Sequence, residues 1–184
     1  MIRGMGRWEP NARGRLEQAA MELYAERGFE QTTVAEIAER AGLTERTFFR
    51  HFADKREVLF AGAGMLQEFL VSAVDGAPES AATASIGALL QERREWSRQR
   101  QAVIAANAGL QERELIKLAS LATALAEALR QRGVGEPAAS LTAEAGIAVF
   151  KIAFERWVDG PSQPELPQLI RESLGELRAV TTGK

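Results

Sequence analysis

The chain has 184 residues, of which 46% are hydrophobic and 26% are charged, so it can form one core or a small domain beside a larger one. It has no cysteine, which excludes disulfides and thiolate metal sites and fits a cytoplasmic location. The longest stretch without a charged residue, residues 80–91, is too short to span a bilayer. Residues 1–15 lack the apolar region of a secretory signal.

Residues 11–27 form the first predicted helix, because their apolar side chains recur on one helical face. That face consists of Leu16, Ala19, Ala20, Leu23 and Tyr24. Gly28 follows directly and ends the helix. The chain contains no sustained alternation of apolar and polar residues that would indicate a strand, so we expect an all-α fold of about nine helices.

A second, shorter helix is predicted to begin after Thr33. Its apolar positions have the spacing i, i+3, i+4 and i+7, and they are Val34, Ile37, Ala38 and Ala41. Thr33 and Glu36 have the spacing of a capping box, which satisfies the first free N–H groups of a helix. Gly42 comes directly after the last apolar position and can adopt the left-handed conformation that ends a helix.

Thr44 is a candidate N-cap for a third helix, in which Phe48 and Phe52 lie one turn apart on the buried side. Two short helices joined by a turn with glycine match the helix-turn-helix pattern, whose second helix enters the major groove of DNA. The outward positions of this helix are Glu45, Arg46, Thr47, Phe49, Arg50 and His51. Such side chains suit phosphates and base edges. A plain helical hairpin with a solvated charged face is the alternative.

The formal net charge of −2 argues at first against nucleic acid as a partner. The charge is unevenly distributed, however, because residues 43–56 contain four basic and two acidic side chains, a local charge of +2 before His51 is counted. This basic surface is modest, so we expect weak non-specific affinity for DNA that falls with salt.

Residues 11–60 resemble the amino-terminal domain of the TetR family of bacterial transcriptional repressors. The resemblance rests on the segments Arg27-Gly28-Phe29, Thr32-Thr33-Val34, Ile37-Ala38, Ala41-Gly42-Leu43 and Thr47-Phe48-Phe49-Arg50-His51-Phe52, followed by Lys55. It departs from the family at Phe49, where tyrosine is usual. A hydroxyl contact with phosphate is therefore excluded there, and apolar contact with a thymine methyl group or a sugar remains.

The resemblance implies a role for each matching side chain. Phosphate contacts are implied for Thr33, Thr44, Thr47, His51 and Lys55. Base contacts are implied for Glu45, Arg46 and Phe49, and either role for Arg50. Two alternatives stay open: Thr33 and Thr44 could serve only as helix caps, and His51 could be a structural histidine.

A fourth predicted helix begins with Asp54 as its cap and is long enough to connect the DNA-binding domain with a second domain. Its apolar stripe consists of Val58, Leu59, Met65, Leu66, Phe69 and Leu70. We therefore expect a helix-turn-helix domain over residues 1–53 and an effector-binding and dimerisation domain over residues 54–184. Within the latter, the sequence predicts a loop over residues 75–83 and then helices over residues 84–92, 95–106 and 111–132.

The last two predicted helices are the most apolar. Residues 137–158 carry one stripe with Leu141, Ile152 and Trp157 and a second with Phe150 and Phe154, so this helix needs cover on two sides. The final helix, which Pro164 and Pro167 flank, has the apolar positions Leu166, Leu169, Ile170, Leu174 and Leu177. In the resembled family, the last two helices pair with their copies in a homodimer. The alternative is a monomer in which the helix is fully buried.

The resemblance also implies a small hydrophobic effector that binds within the second domain. The candidate lining residues are Met65, Phe69, Trp96, Ile104, Leu118, Phe150 and Phe154. Large apolar residues at helical spacing can equally be ordinary core. Arg100, Asn107 and Thr123 are candidate polar anchors.

No catalytic, metal or cofactor site is expected. The only histidine lies in the helix predicted to face DNA, the carboxylates form no paired cluster by spacing, and there is no glycine-rich phosphate loop. The sequence therefore favours a homodimeric transcriptional regulator, a repressor that a ligand releases from a palindromic double-stranded DNA operator. One alternative is a helical small-molecule-binding protein or enzyme in which the hairpin is only structural, and another is a DNA-binding protein controlled by a protein partner.

Overall fold

The computed structural model describes residues 11–64, 66–68, 93–160 and 165–183. Every regular element in these ranges is helical, which confirms the predicted all-α fold class. The chain divides into two compact units between Ala61 and Gly62. None of the described helices is both long enough and apolar enough to cross a membrane.

The amino-terminal unit begins with helix α1, Ala12–Arg27. Asn11 caps it, because its Oδ1 accepts a hydrogen bond from the N–H of Gly14 at 3.1 Å. Gly28 ends the helix with a φ of +86°, as predicted. The buried face of α1 contains the five predicted apolar residues and also Met21.

Two short helices follow, α2 (Val34–Arg40) and α3 (Glu45–His51), and each begins at its predicted threonine cap. The capping box of α2 is complete: the Thr33 side chain accepts from the Glu36 N–H, and the Glu36 carboxylate accepts from the Thr33 N–H. Gly42 adopts a φ of +65° between the helices, which confirms the predicted left-handed turn.

The segment after α3 differs in part from the prediction. Asp54 does act as a cap, because its Oδ1 accepts the N–H groups of Arg56 and Glu57 at 2.8 and 3.0 Å. The capped turn is a 3₁₀ helix, Glu57–Phe60, rather than the first turn of an α-helix, since its backbone bonds join residues three apart. Helical residues occur again at positions 63, 64 and 66–68. Three members of the predicted stripe lie outside the described residues: Met65, Phe69 and Leu70.

One buried core holds the amino-terminal unit together. Each of its helical elements contributes at least one side chain with essentially no exposure, and these include Leu16, Leu23, Ile37, Phe48, Val58 and Leu59. Burying a side chain of this size is worth roughly 1.5–3 kcal/mol. The short α2 and α3 therefore depend on α1 for their stability, because helices of seven residues are marginal in isolation.

The described part of the carboxy-terminal unit contains four α-helices. They are α4 (Arg94–Ala105), α5 (Ala108–Gln131), α6 (Ala138–Asp159) and α7 (Leu166–Thr182). The first three agree with the predicted ranges to within three residues at either end. The predicted loop over residues 75–83 and the predicted helix over residues 84–92 lie outside the described residues.

Helix α6 packs against both α5 and α7. On the α7 side, Trp157 is fully buried in a cluster with Leu166 and Leu169. On the α5 side, Ile147 packs against Leu121 and a neighbouring alanine. Cover on two sides is therefore supplied within the chain, but part of the helix circumference stays open to solvent.

Arg94 joins the beginning of α4 to the end of α6. Its Nε donates to the carbonyl oxygen of Trp157 at 2.7 Å, and its Nη2 donates to that of Gly160 at 2.6 Å. The last carbonyl groups of a helix have no partner within it and carry partial negative charge, so a guanidinium is well suited to this position. Arg94 therefore connects elements more than sixty residues apart in sequence.

Replacing Arg94 with Met should lower the free energy of unfolding by about 2–3 kcal/mol, because two carbonyl groups lose a charged donor. Urea denaturation followed by circular dichroism measures this change. Arg98→Met in the same helix is the control, since Arg98 pairs with Glu95 at the surface and exposed pairs contribute little. Equal effects of the two substitutions would contradict the role assigned to Arg94.

Candidate nucleic-acid interface

The outer face of α3 carries the side chains that stay exposed when the inner face is buried. Phe48 is completely buried and Phe52 nearly so, as predicted, which turns the positions between them towards solvent. Arg46, Thr47, Phe49 and Arg50 line an open groove on this outer face. Glu45 is also exposed at the beginning of the helix.

Arg46 and Arg50 differ from the other cations of the amino-terminal unit. Residues 11–61 contain eight lysines and arginines, and six of them are engaged with carboxylates or carbonyl groups. Those six are Arg13, Arg15, Arg27, Arg40, Lys55 and Arg56. Among the described residues, Arg46 and Arg50 have no hydrogen-bond or ion-pair partner, and both are exposed. The two guanidiniums on the groove can therefore bind an external anion without breaking an internal contact.

Phe49 is the exposed aromatic residue of this groove, with 55% of its surface accessible. Its ring meets that of Phe48 edge-on, with centroids 5.5 Å apart and planes at 83°. Such a T-shaped contact is a favourable aromatic geometry, and it braces the ring against the core. An exposed but braced apolar ring suits contact with a methyl group or a sugar.

The two capping threonines are exposed, Thr33 at the beginning of α2 and Thr44 at the beginning of α3. Thr33 Oγ1 lies 2.9 Å from Glu36 Oε2 and 3.3 Å from the Glu36 N–H that it accepts. Thr44 Oγ1 accepts the N–H of Thr47 at 3.2 Å and lies 3.1 Å from the Thr47 hydroxyl. The predicted caps are confirmed, and a phosphate contact by these residues stays a prediction.

Glu36 places a carboxylate close to this face, but its charge is held locally. The backbone N–H and hydroxyl of Thr33 donate to it, and Arg27 pairs with it, so the pKa of Glu36 is lowered below its usual range. On the opposite side, Arg40 binds the Glu26 carboxylate through two bonds of 2.8 and 2.9 Å. These pairs satisfy acidic groups that would otherwise repel phosphate.

His51 is half-buried at the end of α3, and its Nε2 is buried. That atom has no hydrogen-bond partner among the described residues. A buried nitrogen cannot reach a phosphate oxygen at the surface, so a contact from His51 would have to use Nδ1. The geometry agrees better with the alternative of a structural histidine.

Lys55 does not have the position expected of a phosphate contact. Its ammonium group donates to the carbonyl oxygens of Phe29, Glu30 and Thr32 at 2.8, 3.2 and 2.9 Å. It also lies 4.4 Å from the centre of the Phe29 ring. An ammonium group has three N–H donors, and all three have partners within the protein. The family resemblance implied a phosphate contact for Lys55, because the packing of the turn before α2 cannot be foreseen from a local pattern.

Two further residues that support the site were missed by the sequence analysis. Arg15 donates from Nη2 to the carbonyl oxygen of Ala41 and thus secures the end of α2. The Tyr24 hydroxyl donates to the carbonyl oxygen of Lys55 at 2.7 Å, and burial raises the pKa of Tyr24. The position of Tyr24 on the apolar face of α1 was the only signal, and it indicated burial but not this bond.

The candidate effector residues do not form one cluster in the described part of the carboxy-terminal unit. Phe150 and Phe154 stack with centroids 5.8 Å apart and pack against the Trp157 cluster. Leu118 packs instead against the cluster around Leu121. The remaining candidates have separate places. Ile104 is buried, and Trp96 is half-buried with no hydrogen-bond partner for its Nε1 in the part of the chain that the structure describes. Met65 and Phe69 lie outside the described residues.

Among the described residues, no group of three or more acidic or histidine side chains is arranged to hold a metal ion. The polar anchors suggested from sequence are engaged internally. Arg100 pairs with Glu114 at 2.9 Å, Asn107 donates to the carbonyl oxygen of Val103, and Thr123 donates to that of Ala119.

Two family models match this chain. Residues 17–61 match the family model described as bacterial regulatory proteins of the tetR family. Residues 72–182 match the model of the MftR C-terminal domain. These two models together cover most of the chain.

Curated relatives match part of the chain. The HTH-type transcriptional regulator TcmR of Streptomyces glaucescens is 41% identical over 66 residues, which are 36% of this chain and 29% of that protein. The HTH-type transcriptional repressor KstR2 of Mycobacterium tuberculosis is 43% identical over 47 residues, which are 26% of this chain and 24% of that protein. The matched region thus spans less than a third of the length of these relatives.

Solved structures match the fold of this chain over most of its length, at low sequence identity. Thermus thermophilus FadR, a TetR family transcriptional repressor solved in complex with lauroyl-CoA, has a TM-score of 0.51 and 22% identity, covering 88% of this chain and 91% of that one. The fatty acid degradation regulator FadR of Bacillus halodurans has a TM-score of 0.52 and 18% identity, covering 90% and 93%. These structural matches show the fold, and the two family models give the assignment: the chain belongs to the tetR family of bacterial regulatory proteins.

Proposed function

We propose that this protein is a sequence-specific transcriptional repressor that binds a palindromic DNA operator as a homodimer and is released by a small hydrophobic ligand. The DNA-binding domain of this proposal was predicted over residues 1–53, and as the compact amino-terminal unit it extends to Ala61. The residues that follow bind the ligand and dimerise. Because the operator is chromosomal DNA, the protein acts in the cytoplasm. The role contains no enzymatic step, and the alternative of an enzyme with a structural hairpin is not favoured, since the curated relatives are regulators.

The observation that carries the proposal is the selective availability of Arg46 and Arg50. Six other cations in the same unit have internal partners, whereas these two face outward on one groove. A protein that replaces counterions on DNA gains affinity from each phosphate contact, and arginine also pairs with guanine through two hydrogen bonds. The arrangement therefore concentrates the available positive charge of residues 11–61 on the helix proposed to enter the major groove of DNA.

The remaining contacts are of two kinds: contacts to phosphates, which position α3 on DNA, and contacts to bases, which recognise the sequence. The hydroxyl groups of the exposed Thr33 and Thr44 and of the half-buried Thr47 bind phosphates, which fixes the register of the helix on DNA. Phe49 contacts a thymine methyl group, and Glu45 reaches a base from the beginning of α3. Arg50 completes this set by contacting either a phosphate or a base.

A second copy of the chain is the partner proposed for the open face of α6. Leu141 and Ile152 are 66% and 51% exposed, and Ala145 and Ala148 lie between them at alternating spacings of four and three residues. This spacing is that of a helix seam, and the small residues permit close approach. Helix α7, which packs on α6, carries a parallel set at the same spacing: Ile170, Leu174 and Leu177. Two-fold pairing of these helices gives a four-helix bundle and matches a palindromic operator.

The proposed effector is a small hydrophobic molecule in the carboxy-terminal unit. The aromatic pair of Phe150 and Phe154 supplies apolar surface, as ligand sites typically do. A fold neighbour was solved with lauroyl-CoA, which combines an acyl chain with a polar head. A ligand weakens DNA binding only if it prefers the conformation that does not fit the operator.

Arg46→Ala should reduce affinity for the operator by about 1–3 kcal/mol and reduce the preference for operator over scrambled DNA, because a paired contact with a base edge is lost. Fluorescence anisotropy with DNA from upstream of the gene measures both quantities. Arg56→Ala is the matched control, since it removes the same charge from a residue paired with Asp54. Equal binding of wild-type protein to operator and scrambled DNA would contradict specific regulation.

Ile152→Glu should convert the dimer to a monomer, because a charge is placed in the centre of the proposed apolar seam. Analytical ultracentrifugation at micromolar concentration measures the mass. Leu115→Glu is the control, since Leu115 is 61% exposed on α5, outside the seam, and its replacement should leave a dimer. The assignment fails if the Ile152 variant sediments like wild type.

A hydrophobic effector should raise the melting temperature and lower operator affinity together. At a concentration of one hundred times its Kd it stabilises the folded state by about 2.7 kcal/mol. Thermal shift with lauroyl-CoA and a hydrophobic compound library, followed by anisotropy, tests this. Phe154→Ala should reduce the shift, while Leu115→Ala should not. A compound that stabilises the protein without weakening operator binding argues against release by ligand.

A further inference from the structure

Lys55 lies two residues before the 3₁₀ helix Glu57–Phe60, and both its backbone and its side chain are fixed within the amino-terminal unit. Resting on the proposed DNA-binding function, we propose that Lys55 is a positioning residue, which holds the segment 29–33 in place for DNA binding and does not itself contact phosphate. This reverses the role that its basic side chain and its place in the sequence pattern suggest.

The ammonium group of Lys55 is saturated by internal acceptors. Carbonyl oxygens of Phe29, Glu30 and Thr32 converge on it within 3.2 Å, and the Phe29 ring lies beneath it at 4.4 Å. Three donors facing three acceptors leave none for a phosphate oxygen. A phosphate contact would require the cation to leave carbonyl groups that carry partial negative charge, and these would then lose their partner.

The other end of the same residue is fixed as well. The Lys55 carbonyl oxygen accepts from the buried hydroxyl of Tyr24 at 2.7 Å, so α1 holds the backbone while the side chain reaches the turn before α2. Asp54 orders the turn that follows, through its bonds to the N–H groups of residues 56 and 57. Lys55 therefore connects the turn after α3 with the turn before α2.

This connection affects DNA binding through Thr33. The segment held by Lys55 ends at Thr32, whose side chain is buried and donates to the Gly28 carbonyl oxygen at 2.9 Å. Thr33 is the next residue, and its hydroxyl is exposed, whereas Arg46 and Arg50 lie on α3. With the ammonium group in place, Thr33 is held at a fixed position relative to these arginines. Without it, the two parts of the interface can no longer contact one duplex with full complementarity.

The salt dependence of binding distinguishes positioning from phosphate contact. Each lost contact between a lysine or arginine and a phosphate makes the slope of log affinity against log salt shallower by about 0.9, whereas a displaced contact geometry lowers affinity without removing a charge from the interface. Lys55→Met keeps the unbranched stem and removes only the ammonium group. Arg50→Met is the comparator, because it removes an exposed guanidinium that has no internal partner among the described residues.

The experiment measures the Kd for operator DNA by anisotropy between about 50 and 300 mM salt, where the slope is well defined. We expect Lys55→Met to weaken binding by roughly tenfold at each salt concentration, with the wild-type slope, because charged hydrogen bonds to three carbonyl groups are lost. Arg50→Met should lower the slope if it contacts phosphate. A Lys55→Met slope that falls by about 0.9, or an unchanged Kd, overturns the inference.

Measuring binding well below the melting temperature of each variant distinguishes a positioning role of Lys55 from an effect on stability alone. Loss of stability alone would leave the folded molecules with wild-type affinity. Tyr24→Phe provides a second variant if Lys55→Met does not fold: its buried hydroxyl cannot touch DNA, so weaker binding with an unchanged slope supports positioning, and wild-type Kd contradicts it. If wild-type protein binds no upstream DNA even at low salt, the proposed function itself is wrong.

Discussion

The burial of Phe48 fixes the orientation of the helix on which the proposed function depends. Because successive helix positions are rotated by about 100°, a fully buried Phe48 directs Arg46 and Arg50 to the opposite side and Phe49 to the adjoining flank. Helix α3 has only seven residues and could not hold this orientation by helix propensity. The exposed chemistry of the interface is therefore determined by the packing of one aromatic ring beneath it.

A chain with net negative charge can bind DNA when its carboxylates near the interface are paired within the protein, and here the pairing partners lie close by. Glu36 is held by Thr33 and Arg27, and Glu26 is held by Arg40, so these carboxylates are neutralised within the unit. The field that a phosphate experiences comes from nearby unpaired groups rather than from the net charge of −2. Composition alone therefore underestimates the capacity of this surface to bind nucleic acid.

The sequence could predict the features that depend on residues close by in the chain. The threonine caps, the left-handed Gly42 and the alternation around Phe48 depend on neighbours three or four residues away, and all were foreseen. The positions of Lys55 and Arg94 depend on carbonyl groups more than twenty and more than sixty residues distant, so no local pattern shows them. For the same reason the resemblance implied a phosphate contact for the Lys55 ammonium group, which in the structure binds three carbonyl oxygens instead. The candidate effector residues failed to cluster because helical spacing identifies a buried face but not its partner helix.

The lack of internal partners for Arg46 and Arg50 among the described residues has an evolutionary consequence. Substitution at either position breaks no contact within the described scaffold, so its effect on folding should be small compared with that of a residue such as Phe48. Mutations that change the recognised sequence can therefore accumulate without eroding the scaffold that presents them. A duplicated copy of such a gene could acquire new target promoters through a few surface changes, while the same helices continue to fold in the same way.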